Sequence, residues 1–423
     1  MSAIRRPLPR TPLVLALLAV AGIPAAAAAA DAVVDWNARA EQVVLTAGPP
    51  PVQFRLMAMT QVAVHDALHA IDPRFDPYLV PAPAAPGASA DAAVAAATVG
   101  VLATLVPAQA ANLQTLYENR LAELPPCPAP FPNCVQDGID AGTAAAAAIL
   151  AARANDGSAN PHRLYAAPLL PGVYQQTPGS PAPQFEGWAY LPPMVMRDAA
   201  QFRAEPVDMM DVTSPEYTRE FNEVKHVGSA AVRSAAPDSE ESRIARFWPG
   251  GGANWNTPAR AIANGRGLDR WEHARLFALL NVAMFDATIS VFDTKYTYDF
   301  WRPVTAIRAA GTDGNPATDA DAGWSSYMPT PPYPDFTCGL PTISGSAIEV
   351  LRRYFGTDAL PYTQTVAGQT RSFATLTQAS REVVDARVFG GMHFRAGCVH
   401  GMRQGEKIGR FVHQVALRPR QGS

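Results

Sequence analysis

Three fixed cations and one imidazole stand in two short runs, Lys295-Tyr-Thr-Tyr-Asp-Phe-Trp-Arg302-Pro303 and Arg387-Val-Phe-Gly-Gly-Met-His393. Ammonium and guanidinium groups donate to negatively charged oxygens, the guanidinium often through two N–H groups at once. A neutral imidazole adds a nitrogen lone pair. These types together suit the grip of a tetrahedral oxyanion such as phosphate or vanadate, with a nitrogen placed to bond its central atom. Taken singly each has a plainer reading, a solvated surface cation or a hydrogen-bonded histidine. The joint pattern is what carries the argument.

Position supports it. Lys295 and Arg302 are seven residues apart, two helical turns, so they leave a helix on nearly the same side. Pro303 disfavours helix at Arg302, which places the pair where a helix runs out into a loop. Gly390-Gly391 is expected to break the helix carrying Arg387, so that His393 opens the next one. A third run, Pro334-Asp-Phe-Thr-Cys-Gly-Leu-Pro-Thr-Ile-Ser-Gly345, reads as a loop entering a helix. Pro341 fits a first helical position, and Ser346 with Glu349 fits a capping box one register later. Free N–H groups near Gly339 would then face a bound anion.

The elements needed to hold these residues are helical. Apolar spacing predicts helices over 54–71, 91–106, 108–124, 137–155, 215–235, 268–292, 343–354, 375–388 and 394–415. The stretch 162–215 is rich in Pro, Gly and aromatics and predicts a long loop of the kind that walls a pocket. Little reads as strand. Arg55–Ala67 matches Arg275–Ala287 at seven of thirteen positions without gaps, which favours duplicated helical bundles over two helices that merely share common residues. The expected fold is all-α: two stacked bundles in one large domain, about 31–235 and 236–423, joined by long Pro-rich loops.

Residues 1–30 read as a secretory signal peptide, with Arg5, Arg6 and Arg10 before an apolar core and an alanine tract before Asp31. Arg5-Arg6 also raises twin-arginine export, which the following Pro-Leu-Pro fits poorly. An exported, periplasmic or extracellular protein is expected. Without this segment 31 basic residues face 37 acidic ones, a net charge of −6, which argues against nucleic acid and anionic membranes as partners. No later apolar run reads as a membrane span. Cys127 and Cys134 bracket a Pro-rich loop and are expected to close it as a disulfide.

The order Lys-x6-Arg-Pro, a Gly-containing loop before a helix, then Arg-x5-His resembles the vanadium-dependent haloperoxidases and their relatives, the type 2 phosphatidic-acid phosphatases. The surrounding words Phe300-Trp-Arg-Pro-Val-Thr-Ala-Ile307, Ser344-Gly345 and Gly390-Gly-Met-His-Phe394 bring it nearest the soluble exported bacterial branch. A weaker likeness runs back through Asp35-Trp-Asn and the Arg55 helix. The resemblance implies that Lys295, Arg302, Arg387 and the Gly339 amide hold the oxygens of vanadate, or of phosphate in the same place. It also implies that His393 bonds the vanadium, or acts as the phosphoryl nucleophile.

The family's middle Pro-Ser-Gly-His is here Thr337-Cys338-Gly339-Leu340. A thiol, a weaker donor, replaces the serine hydroxyl, and leucine replaces the histidine that handles protons. Ala386 stands where the last motif has serine. Three explanations of Leu340 stay open: a binding-only relative, a relocated proton carrier (His400, Asp335 or Asp299), or chemistry on vanadate needing no base there. Cys338 could bridge to Cys398, and such a pairing is favoured in an oxidising compartment. The expectation is therefore a vanadate-binding, haloperoxidase-like protein acting on peroxide and halide. The alternatives are a phosphomonoesterase working through a phosphohistidine at His393, and a non-catalytic oxyanion binder.

Overall fold

Asp269 starts the longest helix of this computed structural model. Its carboxylate accepts from the amides of Trp271 and Glu272, and Glu272 reaches back to the Asp269 amide, a complete capping box. Residues 31–420 are described apart from 163, 164, 178 and 253; the expected signal peptide lies outside them. In chain order the helices are α1 (Ala32–Val44), α2 (Pro50–Ile71), α3 (Ala90–Leu105), α4 (Ala110–Ala122), α5 (Cys134–Ala152), α6 (Pro215–Val227) and α7 (Ala230–Ala235). They continue as α8 (Glu240–Phe247), α9 (Asn256–Ala263), α10 (Arg270–Tyr298), α11 (Pro303–Ala309), α12 (Gly339–Phe355), α13 (Leu376–Phe389) and α14 (Arg395–Val415). A hairpin of β1 (Tyr362–Val366) and β2 (Gln369–Phe373) is the one sheet among the described residues.

Helix α10 is buried nearly all round, as a core helix must be. It corrects one expectation: it is long and apolar enough to cross a membrane, with a mean hydropathy of 1.6 over its best window. That window is 94% buried inside the fold, so the length serves packing. Around it, α2 packs on α3 and α5, while α12, α13 and α14 pack on one another; α2 against α10 joins the two groups. Helices α12 and α14 approach so closely that a Cβ on Gly405 would lie 1.9 Å from the Thr342 carbonyl oxygen, and one on Gly409 2.3 Å from that of Ser346.

The internal repeat has a structural meaning. Asp66 on α2 and Asp286 on α10 occupy matched positions, and both are buried. Asp66 accepts from the amides of Tyr78 and Leu79, and Asp286 from those of Met194, Val195 and Met196. Each long helix thus ties down a loop with the same carboxylate. Burial pushes Asp286 up to about 6 against the pull of these amides.

Asp286→Ala leaves three amides unsatisfied and should cost at least about 3 kcal/mol in urea unfolding. The folded state also holds this proton more tightly than the unfolded chain. The carboxyl's contribution is therefore complete below the ordinary value of 3.8 and lost as pH rises through about 6. Wild type should accordingly lose on the order of 2 kcal/mol relative to Asp286→Asn over that window, with parallel stability curves above it.

Several sequence expectations need correction. The helix expected over 215–235 divides at Gly228, giving α6 and α7. The helix expected to begin near 343 starts at Gly339, capped by the backbone of Cys338, so Pro341 is its third residue. Ser346 and Glu349 form no capping box; they lie mid-helix, where the Ser346 hydroxyl donates to the Ile343 carbonyl. Cys127 and Cys134 are disulfide-bonded as expected. Cys338 and Cys398 are not bridged: both are buried free thiols.

Candidate functional site

Lys295 lies in the last turn of α10, and the left-handed Asp299 (φ 50°) then ends that helix. The chain turns so that Arg302 caps α11 with an extended backbone, the helix-to-loop exit that Pro303 required. Arg387 is in the last turn of α13. Beyond it Gly391 has φ 75°, and a Cβ there would lie 2.2 Å from the Gly228 carbonyl oxygen; only glycine allows this turn. It delivers His393 two residues ahead of α14 rather than as its first residue.

All four side chains are buried and they converge. Arg302 Nη1 is 2.9 Å from His393 Nε2. Lys295, Gly339, Leu340, Arg387 and His393 line one cavity of about 520 Å³. Lys295 Nζ donates at 2.9 Å to the carbonyls of both Pro334 and Asp335, which leaves its third N–H free. Arg302 Nε donates to the Tyr333 carbonyl at 2.7 Å and Nη1 to that of Met392 at 3.0 Å. Arg302 Nη2 and Arg387 Nε are buried with no partner.

Asp335 Oδ1 is 2.7 Å from His393 Nδ1 and 3.6 Å from Arg302 Nη1. With Arg302 donating to Nε2, the ring proton belongs on Nδ1, facing the carboxylate. Burial, then the charges of Arg302, Arg387 and Lys295, hold His393 well below its usual range, so the ring is neutral and Nε2 keeps its lone pair. Burial and the Arg302 charge bring Lys295 down to about 7, and burial raises Asp335 to about 7. Burial alone would push the Cys338 thiol up. The Cys398 hydrogen bond and the charges of Arg387, Lys295 and Arg302 outweigh it and bring Cys338 to about 6.

Orphaned cationic donors around a neutral imidazole fit an oxyanion such as vanadate. A buried donor without an acceptor is costly, and an anion would satisfy both guanidiniums. The Gly339 amide fits the same place: a Cβ added there would lie 4.0 Å from Lys295 Cε, and the amide is one of the free N–H groups that open α12.

The relocated proton carriers divide. His400 is half-buried on α14 against Phe336, ring centroids 6.2 Å apart, and lies outside the cavity lining. Asp299 ends α10 and lies outside the cavity lining. Only Asp335 reaches the site. Tyr333 escaped the sequence reading: its ring lies 5.2 Å from Lys295 Nζ and 5.1 Å from Arg302 Cζ, a cation–π base for both. The one available signal was its position, immediately before the third run and two residues ahead of Asp335.

Residues 275–422 match the VCPO second helical-bundle domain. The vanadium chloroperoxidase of Curvularia inaequalis is 35% identical over 95 residues, 20% of this chain. That alignment spans only 15% of the fungal protein's length. Among solved structures, one described as the first bacterial vanadium-dependent iodoperoxidase superposes with a TM-score of 0.77 at 23% identity, covering 93% of this chain and 98% of its own. The apo-type bacterial vanadium-dependent chloroperoxidase gives 0.70 at 20% identity, covering 86% and 92%. At these identities the two structures speak for the fold. The matched second bundle carries Lys295, Arg302, Arg387 and His393 in the spacing read from the sequence, and over it the chain is similar to the second helical-bundle domain of the vanadium chloroperoxidases.

Proposed function

We propose that the chain is an exported, vanadate-binding peroxidase of the haloperoxidase type, with peroxide and a halide as small-molecule substrates. Its bundles divide at about residue 235. The observation that carries the reading is the pair of buried, partnerless donors, Arg302 Nη2 and Arg387 Nε, beside the neutral ring of His393.

Lys295, Arg302, Arg387 and the Gly339 amide would hold the anion's oxygens, the Cys338 thiol adding a weaker donor, and His393 Nε2 would bond the vanadium. Bound vanadate supplies a Lewis acid that polarises peroxide. Asp335 keeps the proton on Nδ1 and so keeps the lone pair on Nε2. Tyr333 fixes the two cations from beneath. Met57, Phe185, Trp248 and Phe292 give the cavity an apolar wall, of the kind that takes small organic molecules. Leu340 lines that cavity and carries no proton.

Leu340 is also what favours the second reading, a protein that holds the anion without turnover. Mature protein loaded with orthovanadate is expected to oxidise bromide or chloride with peroxide and to leave an aryl phosphate intact. Phosphate release with a phosphohistidine at His393 would replace the reading by a phosphomonoesterase. Retained vanadate with silence in both assays would leave the binder. Export is tested by the N-terminus of secreted material, expected at Asp31.

A further inference from the structure

Two thiols that the oxyanion reading barely uses lie directly under the cradle. Cys338 caps α12 and Cys398 lies in the first turn of α14, both fully buried. Their Sγ atoms and a ring nitrogen of His393 all lie within 4.8 Å of one another. The backbone pins them together. The Cys338 amide donates to the Gly397 carbonyl at 3.0 Å, and a Cβ on Gly401 would lie 2.7 Å from the Cys338 carbonyl oxygen. Small residues on α14 thus let the two sulfurs approach.

The surroundings distinguish the two. Cys338 is the N-cap of α12, where the free amides of the first turn stabilise negative charge on its sulfur. Cys398 is the fourth residue of α14, away from the cavity lining. His393 and the next two residues after Cys338, Gly339 and Leu340, line the cavity. The Cys338 sulfur lies within 4.8 Å of a His393 ring nitrogen, so a small oxidant in the cavity is separated from Cys338 by no more than this shell.

We propose that Cys338 and Cys398 form a peroxide-reducing dithiol, a second activity of the same cavity that needs neither vanadate nor halide. The Cys338 sulfur attacks peroxide. An S–O bond forms, the O–O bond breaks, and the departing hydroxide leaves as water with the thiol's proton. The Cys398 sulfur then displaces the sulfenic hydroxyl; an S–S bond forms, the S–O bond breaks, and the second water carries the Cys398 proton. Two thiols and one peroxide give one disulfide and two waters, and an external dithiol restores the pair. The bridge would tie the start of α12 to α14 and withdraw the thiol from the cradle.

The test uses the full mature chain, vanadate-free and halide-free, reduced under conditions that keep the Cys127–Cys134 bond, then titrated with hydrogen peroxide. One equivalent of peroxide is expected to remove both alkylatable thiols and give a Cys338–Cys398 peptide by mass spectrometry, with recovery on adding dithiothreitol. Cys398→Ser should stop at a sulfenic acid on Cys338 that dimedone traps. In Cys338→Ser the remaining thiol should react at least tenfold more slowly. Thiols that stay alkylatable through ten equivalents, or first oxidation at Cys398, would overturn the proposal. Because no vanadate is present, failure here leaves the haloperoxidase assay untouched.

Discussion

His393→Ala should abolish retention of vanadate by the purified protein. The imidazole is the one neutral nitrogen donor among the cations, and its Nε2 lone pair, which accepts from Arg302, is held unprotonated by burial and by Asp335 on the far side of the ring. Loss of an outer partner of a ligating histidine typically weakens metal binding about 10–100-fold. Removing the ligand itself should exceed that, since only electrostatic attraction to Lys295, Arg302 and Arg387 would remain. Equilibrium dialysis against orthovanadate with elemental analysis reads the effect, and unchanged circular dichroism controls for folding. Retention equal to wild type would show that His393 does not hold the vanadium. Asp335→Asn should give a milder loss, in the range expected for the outer partner.

The largest gain is expected from Leu340→His. Leu340 is the second residue of α12 and lines the cavity between Gly339 and Ile343, so an imidazole there faces the space above His393. A positioned general acid–base contributes about 10²–10⁴-fold, and the vanadate-loaded variant should gain rate within that span in whichever assay wild type answers. The gain should show in kcat, because proton transfer acts in the transition state rather than in ground-state binding. A variant that still retains vanadate yet gains nothing would mean that the middle motif has been placed on the wrong residues.

The cradle could be read from the chain because its parts are chemical types at fixed spacing. Proline after Arg302 and the glycine pair before His393 dictate breaks that bring the side chains to helix ends. The long helices were legible for the same reason, being periodic over many turns. Asp335 and Tyr333 were harder: their roles arise from the turn over 331–338, which folds three successive carbonyls onto Lys295 and Arg302, and no periodicity announces such a turn. Short helices such as α7, α9 and α11 owe their existence to packing rather than to propensity. The hairpin was missed because its strands are five residues each and alternate exposed polar residues with few buried ones.

The tight seating of α12 on α14 determines how the molecule should respond to loading. The amide of Gly339 and the ring of His393 hang from two rods whose backbones touch through Gly405 and Gly409, so their separation cannot drift without prising the rods apart. An incoming anion therefore meets a receptacle already set to its final dimensions. The melting midpoint should climb with the logarithm of orthovanadate concentration, as mass action requires, while the sharpness of the transition and the amide exchange pattern remote from the cavity stay as they were.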